Sequence, residues 1–474
     1  MERNKIKEEE TKFLISESKK NPELFERETF IDSPDFLEKI GIFFGNKTNL
    51  PTGYLKLWPQ DFIVEEKSMY GVQETVDFAD LFDTKKTFSE KEPTIYATLV
   101  KCKLPTFEAT NDLARLLEIE PKKIQSAGIK DTDAMTSQLI SIRKTDIEKI
   151  KKVSSPYYFL KNIYSGKGVV EIGSLEANKF TILIRTNPDF DKDQFNQNLE
   201  EVKRHGFFNF FYSQRFGSPR FINWFWGALV LKGEYEKSVS SFLCSGGQRE
   251  ISYFKNIRVE IKKNLGNWDK ILDIIKPLPI ALQNEIRVVE YLRKNPNDFV
   301  GALKQIEKQL QLWVFAYSSL LFNRKISEYI SNGTKLPETL PLMLSDDKND
   351  RMFYSDFLKE DGFSSVAMKN LTPFSNVIQW KKREIKTIVK AEIYKTELVP
   401  EGVILSFYLP KGCYATSFLS QLFQLETGAP PKDISENVID TKKILNEGSI
   451  SELSEKFKEI IFSKSENIFG DSEI

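Results

Sequence analysis

Two blocks of strand-like sequence frame a long helical stretch, and this arrangement narrows the possible folds more than any other feature. In the first block, Phe62-Ile63-Val64 follows a turn at Pro59-Gln60-Asp61. Thr94 to Lys101 alternates and is rich in β-branched residues, and Gln138 to Ile142 reads as a further strand. A helix is predicted between these two, capped by Thr110 or Asn111, with Leu113, Leu116 and Leu117 on one face and Pro121 ending it. Residues 169–185 read as paired strands around a turn, closing on Phe180 to Arg185. From about 225 to 380 the pattern is helical. Leu310, Trp313, Val314, Tyr317, Leu320 and Leu321 recur at helical spacing there, as a core stripe would. Strand patterns return at 384–395 and 401–409, and Leu409 to Thr416 opens a final helix. Strand, helical and strand blocks in this order imply an α/β body interrupted by a helix-rich insert.

At 474 residues the chain has length for two or three domains. Its 37 phenylalanines supply a large core. No apolar run approaches the roughly 18 residues of a membrane span, and Met1 to Lys5 leads into charge-dense sequence, so neither a signal peptide nor a membrane anchor is expected. Residues 1–30 suggest a solvated helix or a disordered arm. Three scattered cysteines, Cys102, Cys244 and Cys413, match no disulfide framework or metal spacing and point to a reducing cytoplasm. Basic and acidic residues balance at 68 each. Residues 425–474 hold 11 acids and 6 bases, leaving a mildly basic body and an acidic, loosely held tail, a split compatible with RNA binding. The single histidine, His205, lies in Lys203-Arg204-His205-Gly206 and reads as solvated, which excludes most histidine-based chemistry.

The chemistry must then come from carboxylates, lysines, tyrosines or arginines. The segment Gln125 to Gln138 presents Asp131 between Lys130 and Thr132. Three readings are open: a turn in which Asp131 caps or pairs with Lys130, an Asp-x-Asp magnesium or phosphoryl-transfer site with Asp133, or a carboxylate acting on a sugar or base. The last needs a cation from another segment to keep the carboxylate ionised, and Lys56 has the character for it. In Phe207 to Gly217, five phenylalanines and Tyr212 interleave with Asn209 and Arg215. Such a segment can stack an extruded base and read its edge, or it can be a buried strand.

The residues carry a resemblance. Ala127 to Gln138 matches a signature Ala-Gly-x-Lys-Asp-x-x-Ala-x-Thr-x-Gln, Asn209 to Gly217 a second segment, and Leu409 to Thr416 a third, Leu-Pro-x-Gly-x-Tyr-Ala-Thr. Asp61 to Glu66 and Gly173 to Phe180 add two more, in order along 50–424. Together they resemble the TruD family of pseudouridine synthases. The resemblance implies an α+β fold: a circularly permuted pseudouridine synthase core, its mixed and mainly antiparallel sheet carrying helices on one face, with an inserted helix-rich domain. It implies Asp131 as catalytic aspartate with Lys56 near it, and Phe62, Asn209, Phe211 and Tyr414 as nucleotide contacts. It further implies an isomerase that needs no metal or cofactor and converts uridine to pseudouridine in transfer RNA, the family-type target being the uridine at position 13. The expected partner is therefore RNA, with no membrane and no small-molecule cofactor, and the expected state a cytoplasmic monomer.

The expected organisation is an extension at 1–49, a catalytic domain at 50–224 and 381–424, the insert at 225–380 and an acidic extension at 425–474. Departures from the family pattern are Tyr212 and Ala177 where glycines stand, Ser420 and Gln421 for Arg-Glu, and Ser318 for glutamine in Ala316 to Ser319. Tyr212 and Ser420 motivate one alternative, an RNA-binding or RNA-folding protein of weak or lost turnover.

Overall fold

The computed structural model describes residues 2–45, 50–81, 92–343, 347–363, 368–376, 378 and 382–462. These form two compact units, one of residues 50–207 and 389–462, the other of 2–45 and 208–388.

The first unit is built on a mixed sheet. Its strands are β1 (Thr52–Tyr54), β2 (Phe62–Ser68), β3 (Thr94–Cys102), β4 (Ile124–Ser126), β5 (Met135–Arg143), β6 (Tyr158–Gly166), β7 (Leu175–Arg185), β8 (Glu392–Val399), β9 (Gly402–Pro410) and β10 (Gln424–Gly428). They run β10-β1-β7-β2-β5-β3-β6, with β9 and then β8 added through β7, and β4 through β5. The β2–β5 and β10–β1 pairs are parallel and the rest antiparallel. Gly53 lies where a Cβ would overlap Ile184 and Phe423, so β1 approaches its neighbours as only glycine allows.

Alternation along the strands divides the core between two faces. Ile95, Ala97 and Leu99 of β3 and Ile140 and Ile142 of β5 pack under the helix Thr106–Leu116 through Ala109, Leu113 and Ala114. That helix is capped by Pro105, five residues before Thr110, the earlier of the two expected caps, and Pro121 opens a separate 3₁₀ turn. The alternate residues Ile63, Val100, Cys102 and Met135 pack under Ile450, Leu453, Phe457 and Ile461. The C-terminal segment therefore covers the second face, which corrects both the loosely held tail and the expectation of helices on one face alone. A sealed Lys442–Glu65 ion pair of 2.6 Å fastens it. Residues 169–185 are not a hairpin: β6 pairs with β3, and β7 lies between β2 and β9.

The second unit is largely helical. The long helix Glu307–Ser331 crosses Asn223–Lys232 where Gly227 meets the Trp313 carbonyl, and no larger residue fits. All six residues of the 310–321 stripe are buried. The N-terminal helix Glu2–Lys20 is no free arm: Leu14 is buried, and the Glu10 carboxylate accepts from the amides of Ile280 and Ala281. His205 is exposed. Among the described residues no helix is long and apolar enough to cross a membrane.

Candidate active site

Strand register brings three chain segments to one end of the first unit's sheet. Ile63 of β2 lies opposite Met135 of the parallel β5, and Cys102 at the end of antiparallel β3 also faces Met135. The lead-in to β2 (residues 56–61), the lead-in to β5 (residues 127–134) and the last residues of β3 must therefore meet there. This is how Lys56 and Asp131, 75 residues apart, become neighbours.

Lys56 Nζ donates to Asp131 Oδ1 at 2.9 Å. The two side chains are 18% and 28% exposed, so the pair is open to a ligand. Lys56 adopts φ +61°, a left-handed conformation that costs a non-glycine residue roughly 1 kcal/mol or more. Its surroundings hold it there. Asp61 accepts the Trp58 amide at 3.1 Å, and Arg185 grips the Asp61 carboxylate with two bonds of 2.7 and 2.9 Å while donating to the carbonyls of Ser435 and Asn437. Burial raises the pKa of Asp61 against the pull of Arg185. The Lys56 ammonium lies 4.5 Å from the centre of the buried Phe62 ring, on its face.

The Asp131 loop is held at several points. Lys130 turns away from Asp131, reaching Glu66 at 2.7 Å and Asn178 at 2.6 Å, and its amide donates to Thr106 Oγ1. Gln138 donates to the Gly128 carbonyl, and Lys101 Nζ to the Asp131 carbonyl at 2.7 Å. The pairing of Asp131 with Lys130 that a simple turn would use is absent, because Lys130 is committed to Glu66. Burial alone would raise the pKa of Asp131; the charge and hydrogen bond of Lys56 and the charge of Lys101 outweigh it and hold the carboxyl below the usual range. Asp131 is thus a carboxylate ready to act as nucleophile or base at neutral pH. Among the described residues no three metal-ligating side chains come together, so Asp131 and Asp133 gain no third ligand.

Phe62, Phe180 and Phe407 form a row on this face, with centroids 6.1 and 5.3 Å apart, and Phe407 stacks obliquely on Phe418 at 4.5 Å. Phe418 belongs to the helix Ala415–Leu419, whose N-cap is the half-buried Tyr414. Tyr414 thus sits one turn before Phe418, whose amide donates to its carbonyl, at the end of this aromatic row. Ser420 and Gln421 both bond the Ser417 carbonyl and finish this helix. Ala177 lies within β7, opposite Pro410 and Lys67.

Asn209 and Phe211 belong to the helical unit. Asn209 donates to the Lys386 carbonyl at 3.0 Å, and Asn323 clamps the backbone of Phe211 through both its N–H and its C=O. The segment is no continuous strand; it passes into a 3₁₀ turn at Ser213–Phe216. Tyr212 is 1% exposed, and its hydroxyl donates to Asp32 at 2.5 Å, with Arg249 on the other Asp32 oxygen. The bulky residue thus points into the packing of the N-terminal segment. Ser318 is buried and bonds the Met343 carbonyl.

Sequence reasoning missed Lys101, the Lys130–Glu66–Asn178 cluster and the Arg185–Asp61 clamp. A signal for the first was present: Lys101 has the parity of Ala97 and Leu99, which puts a lysine on a buried strand face.

Comparisons with known proteins show the family. The family model described as tRNA pseudouridine synthase D (TruD) matches residues 44–372. A Methanocaldococcus jannaschii protein named "Probable tRNA pseudouridine synthase D 2" is 29% identical over 409 residues, covering 78% of this chain and 91% of its own. The "tRNA pseudouridine synthase D" of Aquifex aeolicus is 28% identical over 382 residues, covering 72% of this chain and 94% of its own. A crystal structure of a Methanosarcina mazei TruD protein shares the fold, with TM-score 0.60 at 24% identity over 83% of this chain and 98% of that one.

Proposed function

Because this chain belongs to the TruD family, we propose that it isomerises a uridine of transfer RNA to pseudouridine, the family-type target being the uridine at position 13. The observation that carries this reading is the half-open Lys56–Asp131 pair, an ionised carboxylate fixed over an aromatic-lined sheet face. Asp131 initiates cleavage of the N1–C1′ bond, by attack on C1′ or C6 or by removing a sugar proton. The uracil turns in the pocket and C5 bonds to C1′. The C5 proton leaves and N1 ends protonated, so the reaction is balanced without redox change. Lys56 keeps the carboxylate charged. In this proposal Asn209 reads the base edge, and Phe62, Phe211 and Tyr414 hold ring and ribose. The enzyme acts as a cytoplasmic monomer.

The alternative of a scaffold without turnover rested on Tyr212 and Ser420. Both side chains hydrogen-bond within the protein, Tyr212 to Asp32 and Ser420 to the Ser417 carbonyl, so neither departure needs an RNA-binding role to explain its packing. The test is to incubate a transcribed transfer RNA pool with wild type and Asp131→Asn and to map pseudouridine. The expected result is one modified position with wild type and none with the variant. Equal product from both would remove Asp131 from the chemistry, and no product from wild type would remove the activity.

A further inference from the structure

Lys101 is fully buried, on a strand whose neighbouring positions are apolar. Its Nζ lies 2.7 Å from the carbonyl oxygen of Asp131 and 3.4 Å from that of Lys130. Its register partner is Thr136, at the start of the strand that Asp131 leads into. Taking an ammonium out of water costs several kcal/mol, and an apolar side chain would serve the strand without that cost. The lysine is instead aimed at the backbone of Asp131, the candidate catalytic residue, and of Lys130 just before it.

We propose that Lys101 is a positioning residue for Asp131: its ammonium fixes the peptide carbonyls on either side of the Asp131 backbone N–H and supplies a second positive charge beneath the carboxylate. Lys56 acts on the carboxylate directly, whereas Lys101 acts through the main chain. The hydrogen bonds from an ammonium are about twice as strong as neutral ones, so the loop is held most firmly while Lys101 is charged. Burial lowers its pKa to about 8 against the upward pull of Asp131. The charged or titratable groups around it are Asp131, Asp133, Cys102 and Lys56. Cys102 is pushed up to about 12 by burial and stays a neutral thiol. Loss of the Lys101 proton therefore weakens both effects in the mildly alkaline range.

This rests on Asp131 being the reactive group, so Asp131→Asn is run alongside. Single-turnover rates on transcribed transfer RNA are measured across pH, with RNA affinity and melting temperature. Wild type is expected to lose rate near pH 8. Lys101→Met is expected to fall roughly 10- to 100-fold, as a misplaced catalytic group does, with RNA affinity within about twofold. Its acidic limb moves to higher pH and its alkaline limb disappears. Lys101→Arg, whose charge does not titrate in this range, also loses the alkaline limb but keeps the acidic one, and serves if the methionine variant does not fold. A wild-type rate in Lys101→Met, a slower rate with both limbs unmoved, or an alkaline limb that persists in Lys101→Arg would overturn the proposal. A fully active Asp131→Asn would instead overturn the reading of the site.

Discussion

Two carboxylate–cation pairs in the sheet unit have opposite designs. Arg185–Asp61 is sealed, at 0% and 1% exposure, and the guanidinium also binds two carbonyls. Lys56–Asp131 is one hydrogen bond with both partners partly exposed, on a backbone in a left-handed conformation. Charges buried with their hydrogen-bonding capacity filled hold a chain in place and are unavailable for reaction. A carboxylate held ionised and left accessible is the kind of group that reacts. Lys130 and Asp131 repeat the contrast between adjacent residues: Lys130 is consumed by Glu66, which leaves Asp131 to Lys56.

The strongest way to break the comparison is to swap the consequences of losing each carboxylate's role. Asp131→Asn should lower the single-turnover rate by about 10²- to 10⁴-fold while leaving the melting temperature nearly unchanged; a large loss of stability would make the open pair structural after all. Arg185→Met should do the reverse and destabilise by about 3–5 kcal/mol in denaturant unfolding, because it strands a buried carboxylate. If it unfolds like wild type, the clamp does not hold the Lys56 lead-in.

Lys56→Met sharpens the electrostatic half of the argument. The folded-state pKa of Asp131 is depressed, so its ionised form survives well into acid and the rate should fall only as pH drops through that low value. Removing Lys56 lets burial dominate and raises the pKa. The acidic limb should then move to higher pH, read from the pH–rate profile. The smallest effect belongs to Tyr212→Phe, which takes one donor from Asp32 and should cost about 1–3 kcal/mol of stability with product formation intact. A loss of product without loss of stability would return Tyr212 to the site.

Much of the sheet was legible because alternating, β-branched segments such as Thr94 to Lys101 mark strands, and the helical unit because the 310–321 stripe has helical period. The C-terminal segment was misread for the converse reason. Its helices are short and half charged, and among the described residues its buried apolar side chains, Leu425, Ile434, Leu445, Ile450, Leu453, Phe457 and Ile461, are too sparse a pattern for composition to distinguish from a free tail. Thr106 was missed as a helix start because Pro105 at the N-cap offers no side-chain acceptor. In the site, Asp131 was visible by its motif. Lys56 was a candidate by character alone and only the resemblance selected it, since one lysine among so many carries no local mark.

The sequence alone nominated the residue proposed to carry the chemistry: a single histidine shifted the burden to carboxylates, and the Ala127 to Gln138 signature singled out Asp131. Tertiary structure decided the partners. Parallel pairing of β2 with β5 and antiparallel pairing of β3 with β5 place Lys56, Lys101 and Asp131 at one sheet end. Strand pairing joins residues far apart in the chain by backbone hydrogen bonds that any side chain permits, so the identity of those neighbours is written in the register and in no local stretch of sequence.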